Sequence, residues 1–102
     1  MTRIGDETVN SFRHGRTSGI GTAAVPLVSV EVPAAKGVQL RAAEENTAMV
    51  YVGNSDVTTD AADDTDGFPV AAGESLFVPV NDAAKVHLRS TAAGQKVFWL
   101  AI

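Results

Sequence analysis

Short strand-like segments separated by turn residues recur about every ten residues from Pro26 onward. No stretch sustains the 3.6-residue periodicity of an amphipathic helix, and strands do not alternate with helical segments. This pattern predicts an all-β fold, either an antiparallel β-sandwich or a small barrel. The order of the strands stays open, because several all-β topologies produce the same pattern.

Apolar and polar residues alternate in several segments, which predicts strands and their buried faces. Segments 27–32 and 38–42 are predicted to be half-buried strands that resemble a hairpin. Segment 48–52 is apolar on both faces, which is typical of a central strand. Val86 and Leu88 are expected to face the core.

The stretch Lys96-Val97-Phe98-Trp99-Leu100-Ala101-Ile102 lacks any such alternation. Successive side chains of a strand point to opposite faces, so both faces of this strand carry apolar groups that favour burial. The protein's own core can cover one face, and a second sheet, an N-terminal arm or another subunit is expected on the other. The predicted interface residues are Phe12, Ile20, Phe98, Trp99, Leu100 and Ile102.

Residues 1–25 are predicted to form an extended N-terminal arm, and residues 26–102 the β domain. Large apolar residues are sparse in the arm, and its four glycines are expected to interrupt any helix or strand. The arm is slightly basic and the remainder acidic, which suits a segment that orders along another surface. A disordered tail without function is the alternative.

Composition narrows the classes of function. The formal net charge of −4 at pH 7 disfavours nucleic-acid binding, which requires clustered lysine and arginine. The chain has no cysteine, and it has no apolar run that predicts a membrane span or a signal peptide. We therefore expect a soluble protein made in a cytoplasm, without a cofactor, a nucleic-acid partner or a membrane partner. A chain of 102 residues buries a thin core, which favours oligomerisation or docking.

Candidate chemical sites are weak. The acidic loop 60–66 offers carboxylates for a hard cation, but its spacing fits an EF-hand poorly, so a solvated turn is favoured over a calcium site. His14 and His87 are too few to form a histidine metal site. No Gly-x-Ser-x-Gly elbow or cysteine nucleophile is present, so we predict no catalytic residue and no enzyme. A small cupin-like enzyme is disfavoured because its metal ligands are missing.

Lys85, His87 and Arg89 form a basic stripe at alternate positions. This stripe is a candidate ligand face for a sugar or an acidic protein surface. An ordinary solvated strand face is the alternative.

Three strand-and-turn motifs stand out in the second half of the chain. They are NTAMVYVGNSDVT at 46–58, GFPVAAGES at 67–75 and VHLRSTAAGQKV at 86–97. Together they resemble a pattern found in small β-rich structural proteins of tailed bacteriophages. The resemblance covers roughly residues 36 to 102 and leaves out the predicted arm. No active-site residues accompany these motifs.

The resemblance implies a head decoration, head-fibre or other accessory role in a virion. The expectation is a non-enzymatic protein, made in the host cytoplasm, that forms a trimer or higher homo-oligomer. It would dock on the major capsid protein or another virion protein through the arm and the apolar terminal strand. The alternative is a carbohydrate- or receptor-binding β module of a phage tail or host surface, with the basic stripe and the acidic loop as its ligand face.

Overall fold

A computed structural model of the chain describes residues 12–59 and 66–102. These residues form two antiparallel four-stranded sheets that pack together, so the predicted all-β sandwich is confirmed. The strands are β1 (Arg13–Ile20), β2 (Val25–Pro26), β3 (Val38–Ala42), β4 (Val50–Gly53), β5 (Phe68–Val70), β6 (Ser75–Val78), β7 (His87–Ser90) and β8 (Gln95–Ala101). A 3₁₀ turn at Ala83–Lys85 precedes β7.

Sheet A has the strand order β1-β8-β3-β6, and sheet B has the order β2-β7-β4-β5. Consecutive strands lie in different sheets except for β4 and β5, so the chain crosses the sandwich repeatedly. The predicted central position of the strand at 48–52 is confirmed, because β4 lies between β7 and β5, but the strand covers Val50–Gly53 and begins two residues later than predicted.

The core lies between the inner faces of the two sheets. Leu40 and Val97 come from sheet A, and Val50 and Leu88 come from sheet B. The alternation in 38–42 is confirmed, because its apolar positions are buried and the residues between them are not. Val86 and Leu88 face the core as predicted.

The predicted arm contributes a strand to sheet A. β1 pairs antiparallel with β8, from Arg13 opposite Ala101 to Ile20 opposite Gln95. The register shifts between Thr17 and Ile20, a bulge that turns Ile20 into the core, where it is fully buried. The expectation that glycine prevents a strand here is wrong, because an edge strand tolerates glycine at a bulge. Residues 1–11 lie outside the described residues.

The predicted strand at 27–32, and with it the predicted hairpin, is wrong. This segment connects β2 of sheet B to β3 of sheet A, and β3 pairs with β6 and β8 instead. Val32 is buried but Val30 is 67% exposed, so the valines do not share a buried face. Asp82 replaces a strand partner, since its carboxylate accepts a hydrogen bond from the Val32 amide at 3.0 Å.

Polar side chains fix the start of β8. The Asn46 amide donates to the Lys96 carbonyl and accepts from the Lys96 N–H, both at 2.9 Å, as a neighbouring strand would. Gln95 is buried, and its Oε1 accepts from the amides of Thr47 and Ala48 at 2.9 and 3.1 Å. These bonds hold the loop between β3 and β4 against β8, which is the strand that carries the candidate surface.

Candidate interaction surface

The two faces of β8 have different surroundings. Val97, Trp99 and Ala101 point into the sandwich and belong to the core. Phe98 and Leu100 point away from sheet B and are 46% and 37% exposed. The sequence therefore provides apolar groups on both faces of β8, and the part of the chain that the structure describes covers one of them.

Strand register places two rows of side chains across the outer face of sheet A. The first, the Phe98 row, runs from Arg16 on β1 through Phe98 and Arg41 to Ser75 on β6. Directly paired side chains on one face of a sheet are about 5 Å apart at Cβ. Phe98 therefore lies between two arginine residues on the outer face of the sheet.

The second row, the Leu100 row, runs parallel to the first. His14 lies opposite Leu100, which lies opposite Gln39, which in turn lies opposite Phe77. Phe77 is 44% exposed, and its ring lies over Gly37, where an added Cβ would come within 2.6 Å of the ring. The missing side chain of Gly37 thus leaves room for the Phe77 ring to pack close to the backbone of the sheet.

On the opposite face of β8, a glycine likewise makes room for an aromatic ring, the Trp99 indole. It packs against Gly15 of β1, where an added Cβ would come within 2.6 Å of Trp99 Cζ2. Any larger residue at position 15 would displace the indole. Gly15 therefore helps to determine which face of β8 is buried and which is presented outward.

Charges on the outer face are unevenly paired. Arg41 Nη2 contacts Glu44 Oε2 at 2.9 Å, and Lys96 is paired with Glu45. Lys96 lowers the pKa of the Glu45 carboxyl below its usual value, chiefly by its hydrogen bond and then by its charge. The side chain of Arg16 makes no hydrogen bond or ion pair with another described residue, and its charge adds a smaller decrease to the pKa of Glu45.

Two shallow concavities flank Phe98. One, of about 240 Å³, lies between Phe98, Leu100 and Ser75. The other, of about 320 Å³, lies between Phe98 and the carboxylates of Glu44 and Glu45. Arg41 lines both, so the Phe98 ring stands on a ridge with a cation beside it. Such relief suits an interdigitating protein surface better than an enclosed small molecule.

The structure separates the predicted interface residues into two groups. Phe12 is 61% exposed, Phe98 and Leu100 lie on the outer face, and Ile102 is half-buried. Ile20 and Trp99 are core side chains, so neither is presented by a single chain as an interface residue. Burial of Ile20 follows from the bulge in β1, which the sequence did not reveal.

Sequence reasoning missed Phe77, Arg16 and Arg41 as members of this surface. The alternation of Leu76 and Val78 already indicated that Phe77 faces away from the core. What the sequence lacked was the strand order, which brings β1, β3 and β6 beside β8.

Two of the three side chains of the basic stripe form hydrogen bonds within the chain, and the stripe does not lie on one strand. Lys85 lies in the 3₁₀ turn, and its Nζ donates to Asn81 Oδ1 at 3.0 Å. Arg89 donates from Nη1 to the Val57 carbonyl at 3.3 Å, which holds the buried Val57 over sheet B. His87 is half-buried, with Nδ1 3.3 Å from the Lys85 carbonyl oxygen.

The acidic loop contributes only Asp66 to the described residues, and that carboxylate bonds with the Thr58 hydroxyl at 3.3 Å. Within residues 12–59 and 66–102, no group of three or more metal-ligating side chains comes together. None of the helical segments described there is long and apolar enough to cross a membrane.

No known protein family, curated protein or solved structure matches this chain in sequence or fold.

Proposed function

We propose that this chain is a non-enzymatic structural protein of a virion, an accessory protein of the capsid that self-associates and docks on the head of a tailed bacteriophage. The observation that carries the proposal is the outer face of sheet A. Its inner strand, β8, exposes Phe98 and Leu100, and none of the residues in 12–59 and 66–102 covers them. The resemblance of three sequence motifs to phage structural proteins is the reason for proposing a phage head as the assembly.

The same face supports attachment to a broad protein surface. Phe77, Phe98 and Leu100 are each partly exposed. Burial of a large apolar side chain contributes about 1.5–3 kcal/mol when it starts fully exposed, so these three contribute roughly 2–4 kcal/mol together. One such contact is weak. Many copies on a lattice add their contacts, and avidity then compensates for the small individual surface.

A carbohydrate- or receptor-binding role draws less support. It depends on Lys85, His87 and Arg89, and two of these side chains donate hydrogen bonds to other parts of the chain. On the outer face of sheet A, Arg41 and Lys96 are also paired within the chain, but the exposed side chains of Phe98 and Leu100 are not covered by any described residue.

The test has two stages. Virions purified from the source of this chain are labelled with gold-conjugated antibody against it and imaged, and label on heads is the expected result. Recombinant protein is then added to particles that lack it. We expect wild-type protein to decorate heads and the double variant Phe98→Thr/Leu100→Thr to fail, because threonine keeps strand propensity but removes the apolar contact.

Phe68→Thr is the matched control, because Phe68 is 60% exposed but belongs to sheet B. It should decorate heads normally, and circular dichroism should show both variants folded. Absence of the chain from purified particles, or specific binding on a glycan array without binding to particles, would overturn the proposal in favour of a ligand-binding module.

A further inference from the structure

We propose that a second copy of the chain binds at the open edge of β6, in a twofold dimer that joins the two copies of sheet A into one continuous sheet. The inference rests on the proposed function and deepens it, because it identifies the surface through which the accessory protein self-associates. The outer faces of both copies of sheet A point to the same side of this dimer, so both can contact one lattice.

The edge strands of the sandwich differ in how they are protected against pairing with another chain. Within residues 12–59 and 66–102, the edges are β1 and β6 of sheet A and β2 and β5 of sheet B. Both β2 and β5 contain a proline, and β1 carries two arginines and a histidine. Charge and proline are two of the features that discourage strand addition at exposed edges. β6, with the sequence Ser-Leu-Phe-Val, contains neither.

The backbone groups on the open edge of β6 follow from its pairing with β3. Ala42 next to β6 donates a backbone hydrogen bond to the Glu74 carbonyl at 3.0 Å. Because successive residues of a strand bond on alternate sides, the even-numbered residues of β6 bond to β3, and Ser75 and Phe77 direct their N–H and C=O groups outward. Neither residue forms a backbone hydrogen bond on that side with another described residue. Such a row is a template for a further strand.

The core is incompletely covered beside the same edge. Leu76 and Val78 point inward and pack against the core, but they are only half-buried. Leu40 and Val38, which lie opposite them on β3, are 1% and 0% exposed. A strand added beside β6 would cover Leu76 and Val78, and apolar inward side chains on that strand would extend the core. The edge therefore fits an uncharged, apolar strand.

β6 is itself such a strand, and it is self-complementary. A twofold axis perpendicular to sheet A and beside Phe77 pairs β6 antiparallel with its copy, so that Phe77 lies opposite the partner's Phe77. Leu76 then lies opposite the partner's Val78 on the inner side, where the two half-buried side chains cover each other.

The same register satisfies the outward backbone groups. The two copies of Phe77 exchange a pair of hydrogen bonds across the axis, since their N–H and C=O groups point to the open edge. Val78 precedes a proline and is therefore extended, so the ladder continues to the partner's Pro79, whose C=O accepts from the Ser75 N–H. Pro79 has no N–H of its own, and the pairing ends there.

Other self-pairings fit less well. An antiparallel pair of β1 strands centred on Gly15 places Arg16 opposite the partner's His14, and its inward residues Gly15 and Thr17 add no apolar surface. An axis beside Leu76 instead of Phe77 places each Phe77 opposite a serine, which covers less apolar surface. The Phe77 axis is therefore the arrangement that the sequence of β6 favours.

The contact is small, because a pair of strands four or five residues long covers much less than the roughly 800 Å² per partner of a standard interface. We therefore expect a weak, concentration-dependent dimer in solution. Weakness suits a lattice that holds many copies close together, since two linked outer faces then bind with avidity.

A proline on the open edge tests the contact. Sedimentation velocity of the full chain from about 10 µM to about 1 mM should show a wild-type dimer. Phe77→Pro removes the outward N–H at the axis but no bond to β3, and should weaken the dimer by about 10- to 100-fold. His14→Pro is the matched control: Ile102 bonds to Gly37 on the β3 side, so His14 directs its N–H to the open edge of β1, and its loss should leave the dimer unchanged.

A charge pair tests the symmetry and keeps the inference testable even if a proline variant does not fold. Phe77→Lys and Phe77→Glu each place like charges opposite each other only if residue 77 meets its own copy. An equimolar mixture should therefore dimerise about 3- to 10-fold more tightly than either variant alone. A mixture no tighter than the separate variants would overturn the inference.

Amide hydrogen exchange of the wild-type chain provides an internal control. The amides of Ser75 and Phe77 should gain protection as the protein concentration rises, because they bond only across the dimer. The amides of Leu76 and Val78 bond to β3 and should be protected at every concentration.

A wild-type monomer across the whole concentration range would overturn the inference, and so would a dimer that Phe77→Pro does not weaken. The proposed function would survive either result if wild-type protein still decorated heads and Phe98→Thr/Leu100→Thr did not. Absence of head binding by a wild-type chain that dimerises through β6 would instead refute the proposed function and leave the dimer standing.

Discussion

Ile20→Ala is the most informative single substitution, because it tests whether β1 is part of the sandwich. The sequence placed Ile20 in an arm that anchors on a neighbour. The structure places it at 0% exposure in the core, opposite Gln95 across the bulge of β1. The two interpretations predict opposite effects: loss of stability if Ile20 is a core residue, and loss of association alone if it is an anchor.

The expected loss follows from burial. Truncating a fully buried isoleucine to alanine removes its transfer free energy and leaves a cavity, which together cost about 2–5 kcal/mol. An unfolding entropy of about 2.1 cal/mol/K per residue gives a domain of this size about 0.2 kcal/mol/K, so the melting temperature should fall by about 10–25 °C. Loss at the upper end would unfold a marginally stable domain.

Urea unfolding followed by the fluorescence of the single tryptophan measures the loss directly. Phe12→Ala is the matched control from the same predicted arm, and at 61% exposure it should change the free energy of unfolding by less than about 0.5 kcal/mol. An equally small change for Ile20→Ala would refute the placement of Ile20 in the core, and with it the assignment of β1 to sheet A.

Three further predictions concern backbone freedom, packing and charge. Gly19→Ala should lower the free energy of unfolding by about 1–2 kcal/mol, because Gly19 has φ +70° and nothing within 4 Å of an added Cβ, so the cost is backbone strain alone; an unchanged urea midpoint would contradict this. Gly15→Ala should cost about 1–3 kcal/mol and shift the emission of Trp99, since the new Cβ displaces the indole; an identical spectrum would show that the indole lies elsewhere. The pKa of Glu45 is lower in the folded chain, so its pairing with Lys96 stabilises the fold above the unfolded pKa, and this contribution disappears as the pH falls through the folded pKa. A carboxyl NMR titration should show the pKa of Glu45 rising in Lys96→Met, and no rise would exclude the ion pair.

The pattern of apolar and polar residues correctly predicted those strands that have one face in the core and one face open to solvent. β3 and the β7 region have one buried and one open face, so their alternation was read correctly. The all-β class followed from turn spacing alone. Segment 27–32 also alternates, but its backbone crosses between sheets and bonds to Asp82, a partner 50 residues away along the chain. Nothing in the segment itself distinguishes a crossing from a strand.

β1 was missed for the same kind of reason. Its eight residues include two glycines and mostly exposed side chains, which gives little strand signal. It is a strand because β8 offers a backbone edge, and because Gly15 accommodates the Trp99 indole. Pairing between segments so distant in sequence depends on the whole topology, so the outer face that crosses four strands could not be predicted either.

The apolar pattern of β8 nevertheless includes two side chains, Phe98 and Leu100, that the described residues leave partly exposed. A one-residue slip would exchange the faces of a strand, but Trp99 against Gly15 and Gln95 against the β3–β4 loop fix the register. With the register fixed, stability requires apolar residues only at the inward positions 97, 99 and 101. Polar residues would serve the fold equally well at positions 98 and 100, as they do on the solvated face of many antiparallel sheets. Folding of the described residues therefore does not account for the apolar side chains of Phe98 and Leu100, whereas the proposed partner surface would.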